Sequence, residues 1–491
     1  MLDTIIQAFG SVLAPGVLLM MVIGSLIGII FGAIPGLTYS MGIILVLPMT
    51  FHLSPLTAMS LLLGVYIGGM TGGSVSAILL GIPGTPSAAA TVFDGYPLAK
   101  RGEADKALGT ALFCSIFGGL LGVITLMLIA PLIAKFALNF GPPQIFALVF
   151  FGLTSICGIS AGNILKGLIS GCIGLLVVTI GMDPIMGMPR YTFGFSRLLA
   201  GVDLMSFMIG MFAIPQIIRS FSAKEDYIDQ GMEKKVKTRY PTFGELRRMW
   251  WLILRCALIG IGIGAIPGTG GPIAAFLGYD QARRTKKSDE PALEGVAGPE
   301  TAKNGVTGGA LIPMLTLGIP GDAATAVLLG ALMIHGLKPG PQLFTMHTDF
   351  IAGLYAALFV IHLLVLLFQS FGIRLFVKVL NFKKAYLFTT ILVLCAIGAF
   401  AINNNTFDIY VMFFSGVLAF FMEKHEYPVA PAVLAVVLGP IIEDNFRRSL
   451  ILSQGSFSIF FTSPINIVFY LFTILVLVSQ IRRSIRETKK G

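Results

Sequence analysis

Two short stretches combine a proline that cannot stay inside a helix with side chains able to hold a small polar ligand. The first is Gly81-Ile82-Pro83-Gly84-Thr85-Pro86-Ser87, and the second is Gly318-Ile319-Pro320-Gly321-Asp322 with Thr325 three residues on. A proline removes a main-chain hydrogen bond and collides with the preceding turn, so each stretch interrupts a helix and exposes backbone groups. Where the helix restarts, free N–H groups and the positive end of the dipole suit a carboxylate or another anion. Thr85 and Ser87 at the first break, and Asp322 and Thr325 at the second, are therefore candidate substrate-binding residues. Thr71, Ser74, Ser76 and Thr307, beside Gly72 and Gly308, precede the breaks, and their oxygens suit a cation next to unwound carbonyls.

The elements that must position these residues are repeated. Gly32-Ala33-Ile34-Pro35-Gly36 matches Gly264-Ala265-Ile266-Pro267-Gly268 at an offset of 264 minus 32, or 232 residues. Thr71-Gly72-Gly73 matches Thr307-Gly308-Gly309 (307 minus 71, or 236), and Gly81-Ile82-Pro83-Gly84 matches Gly318-Ile319-Pro320-Gly321 (318 minus 81, or 237). Three ordered matches at nearly constant offset mark an internal duplication. Pro35, Gly36, Pro83, Pro267, Gly268 and Pro320 are then the candidate hinges.

Composition sets the solvent. The chain has 491 residues, of which 55% are hydrophobic and 12% charged, whereas soluble domains carry about a quarter charged residues. Residues 4–93 contain no Asp, Glu, Lys or Arg. The expectation is an all-α polytopic membrane protein with roughly 10–13 crossing or re-entrant segments. MLDTIIQAFG has no basic leader region and reads as part of the first span rather than a signal peptide. The net charge of +10 sits in short loops between apolar runs, which argues against nucleic acid. Five unpaired cysteines, all in apolar runs, indicate neither a metal site nor a disulfide framework.

Charge bias gives orientation. The loop 47–57 has no Lys or Arg, whereas its equivalent in the second half carries Arg283, Arg284, Lys286 and Lys287. After the hairpins the bias reverses: Lys100, Arg101 and Lys106 follow the first, and only Lys338 follows the second. By the positive-inside rule the repeats are inverted, with the tail QIRRSIRETKK and the C-terminus in the cytoplasm. The expected organisation is a first repeat over 1–221 with its hairpin at 71–102, a basic cytoplasmic linker over 222–249, a second repeat over 250–455 with its hairpin at 307–340, and a C-terminal helix and tail over 456–491. Inverted repeats with matching breaks point to a secondary-transporter site at the repeat interface.

The segments FGAIPGLTYSMG, GGSVSAILLGIPGTPSAAATVFDGYPLAKRGEADKALG and EGVAGPETAKNGVTGGALIPMLTLGIPGDAATAVLLGALMIHGLKPGPQLF resemble the large membrane subunit of the tripartite tricarboxylate transporter family. The resemblance covers nearly the whole chain. It implies a permease of the bacterial inner membrane that is not an enzyme and has no cofactor. It also implies a small integral membrane subunit and a periplasmic solute-binding protein as partners, and uptake of a citrate-like or other carboxylate driven by co-transported Na+ or H+. A dimer of complexes and an elevator-like movement are compatible with it. Carried onto this chain, the family motifs add Gly84, Pro86 and Gly321 to the substrate set, and the segment Pro299–Asn304 adds Asn304. Lys303 departs from the family pattern, and is read as an interface lysine that snorkels or as a positive charge near the substrate. Asp94 is expected to cap a loop at the interface, and His335 and His362 to be satisfied by packing.

A competing reading is an intramembrane aspartyl protease using Asp280 and Asp322. The spacing before Asp322 is one residue too long for such a motif, and Asp280 leads directly into a basic loop. No P-loop and no H-E-x-x-H occurs.

Overall fold

Proline and glycine set the element boundaries. The computed structural model describes residues 2–159, 164–222, 238–286, 290–379 and 384–488. Most of the basic linker (223–237), Lys287 and the last three residues of the tail lie outside the described residues. Among the described residues, seven helices are long and apolar enough to cross a membrane, and seven shorter apolar helices of 10–17 residues accompany them. The chain is an all-α, multi-pass membrane protein.

By contacts the chain forms two compact units. The first comprises Met1–Ala134, Arg219–Thr316 and Pro320–Ile391, and the second Lys135–Ile218, Leu317–Ile319 and Leu392–Gly491. Apart from Leu317–Ile319, both repeated segments fall in the first.

In the first unit, helix Pro15–Ala33 ends where Pro35 cannot donate, and Gly36 turns the chain at φ +93. Thr38 then caps helix Tyr39–Val46 by accepting from the Met41 N–H at 3.2 Å. Helix Pro55–Leu80 follows and is closed by Gly81 at φ +69. After the Ile82-Pro83-Gly84 break, a tight turn of helix, Pro86–Thr91, leads into Val92–Lys100. The same order recurs: Phe243–Ala265, a break with Gly268 at φ +82, Gly270–Thr285, Glu294–Leu317, Gly318 at φ +72, and Ala323–Ile334.

Packing fixes the register between the two sets. Helix Pro55–Leu80 is buried all round, and helices in lipid gain most of their association from close contact through small residues. Gly28 lies so near helix Pro55–Leu80 that a Cβ on it would stand 2.5 Å from the Val65 carbonyl oxygen. Gly72 rests on Ile29 as Gly309 rests on Ile261, and Gly84 rests on the Gly32 carbonyl as Gly321 rests on that of Gly264. The first helices therefore correspond at 261 minus 29, or 232 residues, and the long helices and breaks at 309 minus 72, or 237. The Thr-Gly-Gly match seen in the sequence is one residue out of this register, because the repeated feature is the glycine lying on the neighbouring helix, not the threonine before it.

In the second unit, Gly174 of helix Ile164–Val178 lies against Ala432 of helix Val429–Leu452. Phe446 and Phe460 stack at 5.4 Å, with Phe146 within 5.2 Å of both. A small β-hairpin, Gly181–Met182 with Pro189–Arg190, is held to helix Val429–Leu452 by Arg190–Glu443 at 2.6 Å and Arg447–Asp183 at 2.9 Å.

Candidate functional site

Within the first unit, the segments following all four breaks meet at one buried cluster. Asp322, at the restart after the second break, has its Oδ1 bonded by the N–H and the Oγ1 of Thr325, both at 2.8 Å, and its own N–H donates to Thr325 Oγ1 at 2.8 Å. Its Oδ2 accepts from the Tyr66 hydroxyl at 3.1 Å. Tyr66 comes from the middle of helix Pro55–Leu80, and its ring lies 5.7 Å from that of Tyr39. The Tyr39 hydroxyl in turn stands 3.3 Å from Ser87 Oγ, just after the Ile82-Pro83-Gly84 break.

Gly270 and Gly271 begin helix Gly270–Thr285 and complete the cluster. A Cβ on Gly271 would stand 2.5 Å from Ser87 Oγ, and one on Gly270 3.4 Å from Asp322 Cβ. Asp322 and Tyr39 keep 8% and 7% exposure while Tyr66 and Ser87 have none, so the cluster is not sealed on the Asp322 side. Four hydroxyls, of Thr325, Tyr66, Tyr39 and Ser87, and the N-terminus of a sixteen-residue helix thus gather round one carboxylate. The cluster's hydroxyls and helix N-terminus are groups able to donate to carboxylate oxygens.

The other residues expected from the sequence divide by position. Ser87, Asp322 and Thr325 belong to this cluster. Gly84 and Gly321 press on the ends of the first helix of their repeats, and Pro86 opens the helical turn before Ser87. Pro35, Pro83, Pro267 and Pro320 all lie in the breaks, with Gly36 and Gly268 in left-handed conformations. Thr71 donates to the Ile67 carbonyl and to Asn304 Oδ1, both at 3.0 Å, Ser74 donates to the Thr71 carbonyl, and Thr307 to that of Asn304. Gly72 and Gly308 are packing contacts on Ile29 and Gly122. Ser76 and Thr85 lie beside the first break with their hydroxyls unengaged.

Asn304 sits in a second buried network that sequence reasoning did not assemble. Its amide donates to Ser115 Oγ at 2.9 Å, and Ser115 donates to Glu300 Oε2 at 2.9 Å. Glu300 Oε1 accepts from Thr91 at 2.6 Å and lies 2.8 Å from Lys303 Nζ. Glu300 and Lys303 are both fully buried, so the expectation that Lys303 snorkels to an interface is corrected: a facing carboxylate one turn earlier holds it inside. Asp94 is likewise not a loop cap but a buried partner of Lys286. His335 and His362 fall in packed positions, on Thr50 Oγ1 and the Leu358 carbonyl.

Tyr39, Tyr66 and Glu300 were missed. Tyr39 follows the first Ile-Pro-Gly by three residues, Tyr66 is a polar group in a charge-free apolar run, and Glu300 is spaced for an i, i+3 pair with Lys303. All three signals were present.

An aspartyl dyad is absent from this arrangement. Asp280 is ten residues, a rise of about 15 Å, along the helix from Gly270, which abuts Asp322. Asp280 is half-exposed and paired with Arg284 at 2.8 Å.

Fold and site together define a multi-pass membrane protein with broken helices gathered round a buried polar cluster, the architecture of a transporter component. The chain belongs to the tripartite tricarboxylate transporter TctA family, whose model matches residues 18–434. It is a transporter component and not an enzyme. It is similar to an uncharacterised 52.8 kDa protein of Agrobacterium vitis from the TAR-I ttuC′ 3′ region, with 36% identity over 461 residues, 93% of this chain and 91% of the relative. An uncharacterised protein from the TAR-II ttuC′ 3′ region of the same organism is 36% identical over 207 residues, 41% of this chain and 86% of the relative. No solved structure matches the chain significantly.

Proposed function

We propose that the chain is the permease of a cation-driven carboxylate uptake system of the bacterial inner membrane. It receives a di- or tricarboxylate such as citrate from a periplasmic binding protein and works beside a small membrane subunit. The observation that carries this reading is the convergence of Ser87, Tyr39, Tyr66, Asp322 and the start of helix Gly270–Thr285 from both repeats. The hydroxyls and the helix N-terminus serve the substrate carboxylates. Asp322 carries the opposite requirement: its charge repels an anionic substrate, and an added proton or metal cation removes that repulsion. Coupling to a cation follows from that electrostatics.

The inverted relation of the repeats is supported by which loops meet. Thr50, after the first repeat's second helix, meets His335, after the second hairpin. Asp94 and Arg101, after the first hairpin, meet Lys286 and Glu290, after the second repeat's second helix. At both places a loop of one repeat meets the non-equivalent loop of the other, the pattern that opposite orientation produces when the two loops of each repeat lie on opposite sides. The basic residues at the second place and the basic tail are both assigned to the cytoplasm by the positive-inside rule. Alternating access then moves the repeat-built unit about Pro35, Pro83, Pro267 and Pro320.

Substrate protection tests this reading. In the full chain with Ser87→Cys, thiol labelling should be slowed by one di- or tricarboxylate of a panel and not by sugars or amino acids. Labelling that no carboxylate alters would contradict it.

A further inference from the structure

The two breaks are equivalent in register, yet they are not equivalent in how they use their side chains. Asp322 corresponds to Thr85 (322 minus 85, or 237). Asp322 closes its break with a reciprocal capping box to Thr325. Thr85 occupies the same capping position and makes no capping bond. Its hydroxyl has no hydrogen-bond partner although the residue is only 1% exposed, and the same holds for Ser76, which is fully buried. A buried hydroxyl left unpaired forfeits its hydration with nothing in return, so two at one break call for an occupant.

The surroundings say of what charge. Ser76 Oγ and the Gly32 carbonyl both converge on Gly84: a Cβ there would stand 2.6 Å from Ser76 Oγ and would overlap the Gly32 oxygen. Thr85 Oγ1 lies on Gly73, at 2.5 Å from a Cβ built there, and the Gly84 N–H reaches the Gly73 carbonyl at 3.4 Å. Helix Pro15–Ala33, of 19 residues, ends here, so the negative end of its dipole meets these oxygen atoms where they lie along the flank of helix Pro55–Leu80. Oxygen ligands without a thiol or imidazole select a hard cation, and the absence of a carboxylate among them favours a single positive charge. At the second break Pro313 stands in the place of Ser76, and the capping box consumes the hydroxyl and carboxylate.

We propose that Ser76 Oγ, Thr85 Oγ1 and the Gly32 carbonyl form a binding site for one dehydrated Na+ at the first break, with no counterpart at the second. This rests on the cation-driven reading and deepens it: Thr85 moves from the substrate set to the ion set, and the ion sits two residues from Ser87 of the substrate cluster. Filling the site ties the end of helix Pro15–Ala33 and the flank of helix Pro55–Leu80 to the restarting chain that carries Ser87. Na+ binding therefore orders the substrate hydroxyl.

The test is ion binding by the purified full chain in detergent, read as melting temperature against Na+ concentration, with choline at matched ionic strength as control. A saturable rise with Na+ and none with choline is expected. In Ser76→Ala and Thr85→Val the half-saturating Na+ should rise about tenfold or more, as expected for removing one ligand to a charged group. Thr85→Ser keeps the hydroxyl and should retain the parent response, which separates ligation from packing. Equal melting in Na+ and choline, or an unchanged Na+ response in both hydroxyl-deleted variants, would overturn the site. Because binding is read without substrate, a chain that responds to Na+ yet carries no carboxylate would sink the transport reading and leave the ion site standing.

Discussion

The Glu300–Lys303 pair shows how residues deep in this protein are coupled. Taking both charges out of water is repaid only by their mutual attraction and by Thr91 and Ser115, so removing one partner strands the other. Lys303→Met and Glu300→Gln should each cost about 3–5 kcal/mol of stability, and the double substitution less than either. Thermal melting of the three variants checks this, and a double variant as unstable as the sum would refute it. At Asp322, Tyr66→Phe deletes one bond to the carboxylate and keeps the ring, so substrate affinity should fall and stability should drop by about 1.5–3 kcal/mol, the range for a hydrogen bond to a charged group. Outside the spans, the Met186 amide, with Arg447 and the Ile185 amide, holds the Asp183 carboxyl down to about 2 against the cost of its desolvation. A depressed carboxyl stabilises fully above its unfolded value near 4 and is lost as pH falls through 2. Hydrogen exchange at Ile185 and Met186 should therefore stay slow at pH 5, accelerate beyond its intrinsic pH dependence between pH 4 and 2, and be fast throughout in Asp183→Ala, which removes the acceptor. At this scale the sequence was read unevenly. Ser87 and Asp322 were legible because they follow a proline break, whereas Tyr39 and Tyr66 needed the three-dimensional crossing of helices to become neighbours of Ser87 and Asp322.

The helices are placed by glycine as much as by apolar surface. Where Gly28 lies on Val65 and Gly72 on Ile29, no side chain fits between backbones, and the same holds for Gly309 on Ile261. Gly28→Val and Gly309→Val should each abolish recovery of folded protein on size exclusion, while Gly262→Val, whose Cβ position is open, should not. The breaks themselves could be read from Ile-Pro-Gly, since proline and a left-handed glycine have local causes. The register could not. Thr71-Gly72-Gly73 and Thr307-Gly308-Gly309 look equivalent as letters, but the close helix contact pairs Gly72 with Gly309.

For the molecule as a whole, the proposed inversion of the repeats predicts that equivalent positions face opposite sides of the membrane. With Cys172 replaced by Ser, Ser54→Cys and Glu290→Cys should label from opposite sides of sealed vesicles, and labelling from one side would contradict inversion. Membrane residence, helix content and the duplication were legible because they are written in composition and period. The gathering of segments from all four breaks into one compact unit was not, because it depends on packing between residues more than 180 positions apart in sequence.

The central claim is that a polar cluster built from both repeats carries a carboxylate at the expense of a cation gradient. Its most direct test is uptake of labelled di- and tricarboxylates into proteoliposomes holding the chain, its small membrane partner and the periplasmic binding protein, under imposed Na+ or H+ gradients. Gradient-dependent uptake that disappears in both Ser87→Ala and Asp322→Asn, with the folded protein recovered in equal amount, is the predicted result. Uptake that both variants retain, or that ignores both gradients, would contradict the account.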